Sequence, residues 1–193
     1  MVDPFINKFY KNGRFSEETE NCVASFHQKV ELPRNKVLLR KGDIISEIYL
    51  IEVGVARSFV LNHDKEDITT HFFSPYEIIV DEISFLEKVS SESSYQAITD
   101  MIVWKITLNN FYLLFDTNAE FRVWVRDRII TALIKEKQTH LWMKTKSAFE
   151  RYNDLILQNP EFNYHVPLKY IATYLGITDT SLSRIRREMM GKK

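Results

Sequence analysis

The sequence predicts an α+β protein in which an antiparallel β-domain precedes a long helix and a small all-α C-terminal domain. Three observations support this order: β-rich runs separated by turns follow Pro33, a long apolar stretch with helical spacing follows Thr117, and two short helices meet at a glycine near the end. The 193 residues are 45% hydrophobic and 27% charged, which is the composition of a globular chain.

Composition excludes several classes of protein. No apolar run approaches the ~20 residues that a membrane helix needs. The start of the chain lacks a basic stretch followed by an apolar core, so we expect no secretory signal, no membrane contact and a cytoplasmic protein. Cys22 is the only cysteine, which excludes an internal disulfide and a cluster held by several thiolates of one chain. We expect Cys22 to be a small core residue.

The first predicted helix begins at Ser16, a good N-cap, with Glu17 and Glu18 in its first turn. Val23 and Phe26 give this helix an apolar side. The β-rich runs then lie between residues 37 and 73, where glycines and the turn at 62–64 separate them. Further strands are predicted at 95–99 and 102–106. Their spacing is that of a small antiparallel sandwich or barrel.

Two helices are predicted next. Thr107 caps a short helix, and Thr117-x-x-Glu120 is a capping-box pattern that would start a long one. The long helix has a broad apolar face, which includes Phe121, Trp124, Val125, Ile129 and Ala132. This face must be buried, either wholly against the chain's own β-domain or against a second copy of the chain, which is what the family resemblance described below implies.

The C-terminal residues predict two helices around a tight corner. Ser147-x-x-Glu150 is a capping box that opens the first helix of the C-terminal domain. Pro167 suits a first helical position, Gly176 ends that helix, and Thr178 is a good N-cap for the next. A short helix, a glycine corner and a second helix rich in hydroxyls and arginines is the layout of a helix-turn-helix.

Residues 166–188, VPLKYIATYLGITDTSLSRIRRE, resemble the C-terminal DNA-binding motif of the Crp/Fnr family of bacterial transcription regulators. The generic alternative is an ordinary αα-corner. Four further features occur in the order found in the cyclic-nucleotide-binding β-roll of the same family: the KGD turn, the YLIEVG strand and turn, the charged hairpin HDKED, and the run THFFSPYEIIVDEISFL. The resemblance covers residues from about 15 to 190.

The resemblance implies an architecture and a function. Residues 1–115 would form a cyclic-nucleotide-binding-like β-roll of the double-stranded β-helix or jelly-roll type, residues 116–145 a connecting and dimerisation helix, and residues 146–193 the helix-turn-helix domain. The family's usual β-wing has no room before Lys193, so we expect a full wing to be missing. The expected function is a homodimeric transcription regulator that binds an inverted repeat in double-stranded DNA. RNA polymerase is a further partner that the resemblance allows.

The resemblance also assigns the DNA contacts. Arg184 would read a guanine, because its fork matches the two acceptors of that base, and Asp179 could accept from a cytosine amino group. The full set of predicted DNA-binding residues is Lys169, Thr178, Asp179, Thr180, Ser181, Arg184 and Arg187. Lys192 and Lys193 are added as candidates for phosphate contacts. For each basic residue the alternative is an ordinary solvated surface.

Charge supports a polyanion partner at this end of the chain. The formal net charge is zero, yet residues from Lys144 onward carry nine Lys/Arg and five Asp/Glu. The excess of four positive charges on these residues favours attraction to nucleic acid.

The candidate effector pocket departs from the pattern of cyclic-AMP-binding relatives. Asp81-Glu82 stands where the family has Gly-Glu, and no arginine lies near Ser91 or Ser93 to meet a phosphate. Between residues 76 and 104 there are six acids and one base. We therefore predict no cofactor and no binding of cyclic AMP in the usual way. A different ligand, a protein-contact surface and a filled, inert core remain open.

Enzyme chemistry is not indicated. The five histidines lack the spacing of a metal site, and neither a phosphate-binding Gly-x-x-x-x-Gly-Lys loop nor a Gly-x-Ser-x-Gly elbow is present. We predict no enzyme and no metal. The competing hypothesis to a regulator is a sensor or protein-interaction module without sequence-specific DNA binding.

Overall fold

The computed structural model describes residues 3–10 and 15–191, with side chains as far as Met189. The helices are α1 (Pro4–Tyr10), α2 (Glu17–Ser25), α3 (Glu82–Glu87), α4 (Leu108–Thr117), α5 (Ala119–Thr145), α6 (Ala148–Gln158), α7 (Phe162–His165), α8 (Leu168–Tyr174) and α9 (Asp179–Gly191). The strands are β1 (Gln28–Leu32), β2 (Val37–Leu39), β3 (Glu47–Val53), β4 (Ala56–Leu61), β5 (Asp67–Phe73), β6 (Ile78–Ile79), β7 (Ser94–Ala97) and β8 (Met101–Thr107).

The strands form two four-stranded antiparallel sheets, in the orders β1-β8-β3-β6 and β2-β7-β4-β5. A buried cluster contains residues of both sheets, including Ile51, Phe73, Met101 and Val103. Gly54 turns the chain from β3 to β4 with a φ of +99°, and a Cβ there would lie 2.5 Å from the carbonyl oxygen of Asp100. The predicted α+β class, with an antiparallel β-domain followed by helices, is confirmed.

Helix α1 precedes the first helix that the sequence predicts. Phe5, Ile6, Phe9 and Tyr10 are all buried, and they pack in one cluster with residues of α2, β3 and α5. Asp3 caps the start of the helix, its Oδ1 accepting from the Phe5 N–H at 2.9 Å. The spacing of the four apolar residues was the available signal, but a helix of seven residues is too short for periodicity alone to separate it from a strand.

Most predicted caps are present, and one is wrong. Ser16 caps α2 and Thr107 caps α4, as predicted. The long helix α5 is capped by Asn118, whose side chain accepts from the Phe121 N–H, rather than by Thr117. Thr117 is the last residue of α4, so its backbone is still helical and it cannot adopt the extended conformation of an N-cap.

Glu120, the other half of the predicted capping box, serves a different contact. Its carboxylate accepts from the backbone N–H of Ser16 at 2.8 Å, and this bond joins α5 to the start of α2. Cys22 is half-buried beside the cluster formed by α1, α2 and α5. It is therefore a packing residue at the margin of the core.

A buried histidine makes stability depend on pH. His27 lies between the Val23 carbonyl, 2.8 Å from Nδ1, and the Tyr10 hydroxyl, 3.1 Å from Nε2. Burial lowers the pKa of His27 below its ordinary value of 6.5, and the hydrogen bond to Val23 only partly offsets this. The unfolded chain therefore takes up a proton near pH 6.5 while the folded chain does not, so stability falls as pH drops from 6.5 towards the lower folded pKa.

We expect His27→Gln to reduce the fall in the free energy of unfolding between pH 7 and pH 5. Urea unfolding at several pH values measures this slope, and His63→Gln is the control because His63 is fully exposed. His71 also has a pKa lowered by burial, so part of the slope should remain. An equal slope in His27→Gln and wild type would contradict the assignment.

Candidate nucleic-acid interface and sensor pocket

Helices α8 and α9 form the predicted helix-turn-helix around a glycine corner. Helix α8 ends at Tyr174 with Leu175 as its C-cap, and Gly176 follows with a φ of +66°, a conformation that favours glycine. The Thr178 hydroxyl accepts from the Ser181 N–H at 3.2 Å and so caps α9. Pro167 lies one position before α8 instead of opening it, because its ψ of 133° is extended.

The apolar face of α9 packs against the other C-terminal helices. Leu182 of α9 is fully buried with Ile171, Ala172 and Leu175. The capping box predicted at Ser147 and Glu150 is present at the start of α6, which packs on the same cluster. The helices that would carry a DNA-reading surface are thus held by a core that they share with Val55, Phe72 and Ile98 of the β-domain.

Arg151 is a structural residue that sequence reasoning missed. Its guanidinium donates to the carbonyls of Met143 and Lys146 at the end of α5, and to the Leu175 carbonyl at the end of α8, over 2.7–3.1 Å. Carbonyls at helix C-termini lack intrahelical donors, so a cation there satisfies them. One arginine thereby ties the long helix to the corner.

The predicted DNA-contacting side chains lie mostly on the open side of α8 and α9. Ser181 is half-buried and bonded to Thr178; the exposed members are Lys169, Thr178, Asp179, Thr180, Arg184 and Arg187. Lys192 and Lys193 lie outside the described residues. The arrangement leaves a polar, partly cationic surface free on the second helix of the corner.

The predicted dimerisation residues are divided between two environments. Phe121, Trp124 and Val125 are buried within the chain's own core, so the expectation that they face a second copy is corrected. They point inward because α1, absent from the sequence prediction, supplies the surface that they cover. Ile129 and Ala132 are exposed.

The second half of α5 leaves further apolar side chains uncovered. Residues 129–138 are exposed without exception, and the large apolar members are Ile129, Ile130, Leu133 and Ile134, at 49–66% exposure. A helix exposed on every side with such residues is unusual for a single chain, because large exposed apolar patches mark interaction sites.

Asp81, Ser91 and Tyr95 come together in the candidate sensor pocket. Asp81 is buried, and its carboxylate accepts from the Ser84 N–H at 2.8 Å, the Ser91 hydroxyl at 2.6 Å and the Tyr95 hydroxyl at 3.2 Å. The backbone N–H of Ser93 donates to the Ser91 hydroxyl at 3.1 Å. At this position the hydrogen-bond donors therefore surround a carboxylate of the protein and not the phosphate of a ligand.

Glu82, the neighbouring acid, lies outside that network. Burial raises the pKa of Glu82, and the nearby charges of Asp81 and Glu136 raise it further. The cavity beside Asp81 and Tyr95 is about 30 Å³, which is room for about one water molecule. An anionic ligand in this cavity would meet the Asp81 carboxylate and a nearly filled space.

The described part of the chain holds neither a metal-binding group of side chains nor a membrane-spanning helix. Within residues 3–10 and 15–191, no three His, Cys, Asp or Glu side chains are grouped so as to hold a metal ion. No helix in these same ranges has the length and apolar character to cross a membrane.

Comparison with known proteins agrees with this architecture. Residues 29–118 match the model of the cyclic nucleotide-binding domain family. The whole chain has the fold of the Crp/Fnr regulators, and the predicted resemblance is confirmed.

Particular relatives cover most of the chain. The anaerobic regulatory protein of Haemophilus influenzae is 22% identical in an alignment of 189 positions that covers 92% of this chain and 71% of the relative. FixK2 from Bradyrhizobium japonicum superposes with a TM-score of 0.72 at 16% identity, covering 86% of this chain and 85% of FixK2. A Crp/Fnr-family protein from Eubacterium rectale superposes with a TM-score of 0.71 at 13% identity, covering 98% and 88%. The Haemophilus influenzae and Eubacterium rectale proteins are both named as regulators.

Proposed function

We propose that this chain is a DNA-binding transcription regulator of the Crp/Fnr type that acts as a homodimer. The observation that carries the proposal is the surface of α9, where most polar residues are exposed while Leu182 is buried against α8 and Ile185 and Met189 pack on the same cluster. A helix held in this way presents side chains to a major groove. Two copies related by a twofold axis would read half-sites about 34–36 Å apart in an inverted repeat.

Roles on this surface follow from side-chain chemistry. Arg184 would donate two hydrogen bonds to a guanine, whereas Lys169 and Arg187 would contact phosphates and carry no sequence information. Asp179 would repel a phosphate and is assigned to a cytosine amino group. Thr178, Thr180 and Ser181 supply hydroxyls near the same end of α9.

We expect Arg184→Ala to weaken binding to the preferred site by about 1–3 kcal/mol and to relax preference at one base position, because a bidentate contact is lost. Arg187→Ala is the matched control, as an exposed arginine on the same helix. It should weaken binding to all sequences alike and reduce the salt slope by about one. Titrations against single-base variants of the site measure both effects.

The paired helix would be the exposed half of α5. Its apolar residues, Ile129, Ile130, Leu133 and Ile134, are uncovered in one chain, and a second copy of the same helix offers a surface of equal chemistry. Dimerisation also supplies the affinity that a modest net charge of +4 on residues 144–193 does not.

The β-roll is proposed to work without cyclic AMP bound in the usual way. The Asp81 carboxylate already accepts the donors of Ser84, Ser91 and Tyr95, so a phosphate entering here would face a charge of its own sign. We expect labelled cyclic AMP to show no saturable binding to the full-length protein at micromolar concentrations. Saturable micromolar binding, abolished by Asp81→Leu, would contradict this proposal.

Selection of bound sequences from random duplex DNA by the full-length protein, at two salt concentrations, tests the proposed function. Enrichment of an inverted repeat would support a dimeric regulator. Steep salt dependence without an enriched site would mean a nonspecific basic patch. The protein-interaction module would then be the better description.

A further inference from the structure

Arg57 is a buried cation beneath the helix-turn-helix. It lies on β4 with 1% of its surface exposed. Its two terminal nitrogens donate to the two oxygens of Asp67 at 2.9 and 2.8 Å, in a bidentate pair. They also donate to the Thr69 hydroxyl at 3.1 Å and the Gln96 amide oxygen at 3.2 Å. Three strands, β4, β5 and β7, are thus joined through one side chain.

The guanidinium is also the contact with the C-terminal helices. The ring of Tyr170, on α8, lies 3.4 Å from the guanidinium carbon, and the Phe59 ring lies 4.2 Å away. Arginine stacks well on aromatic rings because its guanidinium group is planar and weakly hydrated. Desolvation strengthens this attraction, so the stack holds α8 in one position on the sheet.

Three further contacts dock α8 and its neighbours on β5, the edge strand of that sheet. The backbone N–H of Thr69 donates to the Thr173 hydroxyl at 3.2 Å. The Phe72 ring lies 5.1 Å, centre to centre, from the rings of both Tyr174 and Phe162. The helix-turn-helix is therefore seated on the β-roll and is not connected to it by α5 alone.

The docked position leaves the proposed reading surface open. Thr178, Asp179, Thr180 and Arg184 are exposed in the same structure in which Tyr170 stacks on Arg57. The contact is consequently an orienting one, because it fixes α8, and hence α9, without covering the DNA-facing side.

Strand β7 connects this contact to the pocket. Tyr95 and Gln96 are consecutive, so their side chains point to opposite faces of the sheet. The Tyr95 hydroxyl bonds to Asp81 inside the β-roll, and Gln96 accepts from Arg57 outside it. A displacement of β7 at the pocket would therefore move an acceptor of Arg57.

We propose that Arg57 is a positioning residue, which through Tyr170 sets the orientation of the DNA-reading helices on the β-roll and so the half-site spacing that the dimer accepts. The proposal rests on the proposed function. Loss of the stack would free α8 from the sheet, and each reading helix could then follow its half-site over a range of spacings.

Amide exchange at Thr69 tests the docking without DNA, because the acceptor of that N–H lies on α8. We expect Tyr170→Leu and Arg57→Met to raise exchange at Thr69 about tenfold or more, while Val103, in the other sheet, keeps its wild-type rate. Tyr170→Phe is the control, since it retains the ring. An unchanged rate at Thr69, or an equal rise at Val103, would overturn the proposal.

Half-site spacing tests the role in recognition. Wild-type protein should lose affinity when about two base pairs are inserted between the selected half-sites, because the second half-site rotates around the duplex. The same insertion should reduce the affinity of Tyr170→Leu by a factor at least about ten times smaller than in wild type. Tyr170→Phe should behave as wild type. Retention of the wild-type spacing preference by Tyr170→Leu would overturn the proposal. Selection of no inverted repeat by wild type would instead overturn the proposed function, and the exchange result at Thr69 would still decide the docking.

Discussion

Leu133→Glu is expected to convert the protein into a folded monomer and to weaken binding to an inverted repeat by about 100-fold or more. Leu133 is 66% exposed in the single chain and makes part of the uncovered apolar surface of α5. In the paired helices the substitution would bury two carboxylates, one from each copy, and burying unpaired charges is unfavourable. Because binding of a dimer to two half-sites gains about 10²–10⁴ over one half-site, its loss dominates the affinity.

Sedimentation velocity and DNA titration measure the two parts of this result. Leu157→Glu is the matched control, since Leu157 of α6 is 71% exposed and lies away from α5 in sequence. The control should remain a dimer. A Leu133→Glu protein that stays dimeric with wild-type affinity would show that α5 is not the pairing surface.

Phe121→Ala is expected to lower the free energy of unfolding by about 3–5 kcal/mol, because a buried aromatic ring leaves a cavity. The ring is 1% exposed, stacks on Trp124 with centres 5.9 Å apart, and lies 5.5 Å from Phe111. Val123→Ala, a 44% exposed neighbour on the same helix, should change stability by no more than about 0.5 kcal/mol.

Chemical unfolding at one fixed protein concentration measures this difference, because the stability of a dimer depends on concentration. The dimer should persist in Phe121→Ala under native conditions. Dissociation without loss of stability would return Phe121 to the dimer surface, as the sequence alone suggested.

The helix-turn-helix was the part of the structure that the sequence predicted best. Its caps at Ser147 and Thr178 and its corner at Gly176 depend on residues within a few positions of one another, and all three are present. The resemblance to Crp/Fnr regulators, first stated on these residues, is confirmed by comparison. The DNA-contacting roles given to Arg184 and Lys169 stay predictions.

The pocket was predicted in part. The absence of an arginine near Ser91 is visible in the sequence and led to the expectation that cyclic AMP does not bind in the usual way. The sequence does not show which residues bind the Asp81 carboxylate. Its partner Tyr95 lies 14 positions away on β7, and the two side chains come together only in the folded β-domain. Periodicity does not encode such a contact.

By itself the sequence determined the order of the β-domain, the long helix and the helix-turn-helix, together with several helix caps, because caps, glycine turns and apolar periodicity act over a few residues. Only the tertiary structure decided which side of α5 is buried, since α1 covers Phe121 and Trp124 and leaves Leu133 bare. It alone placed Arg57 under Tyr170, 113 positions along the chain. Contacts at such separation depend on how sheets and helices pack, and no local pattern in either segment specifies the other.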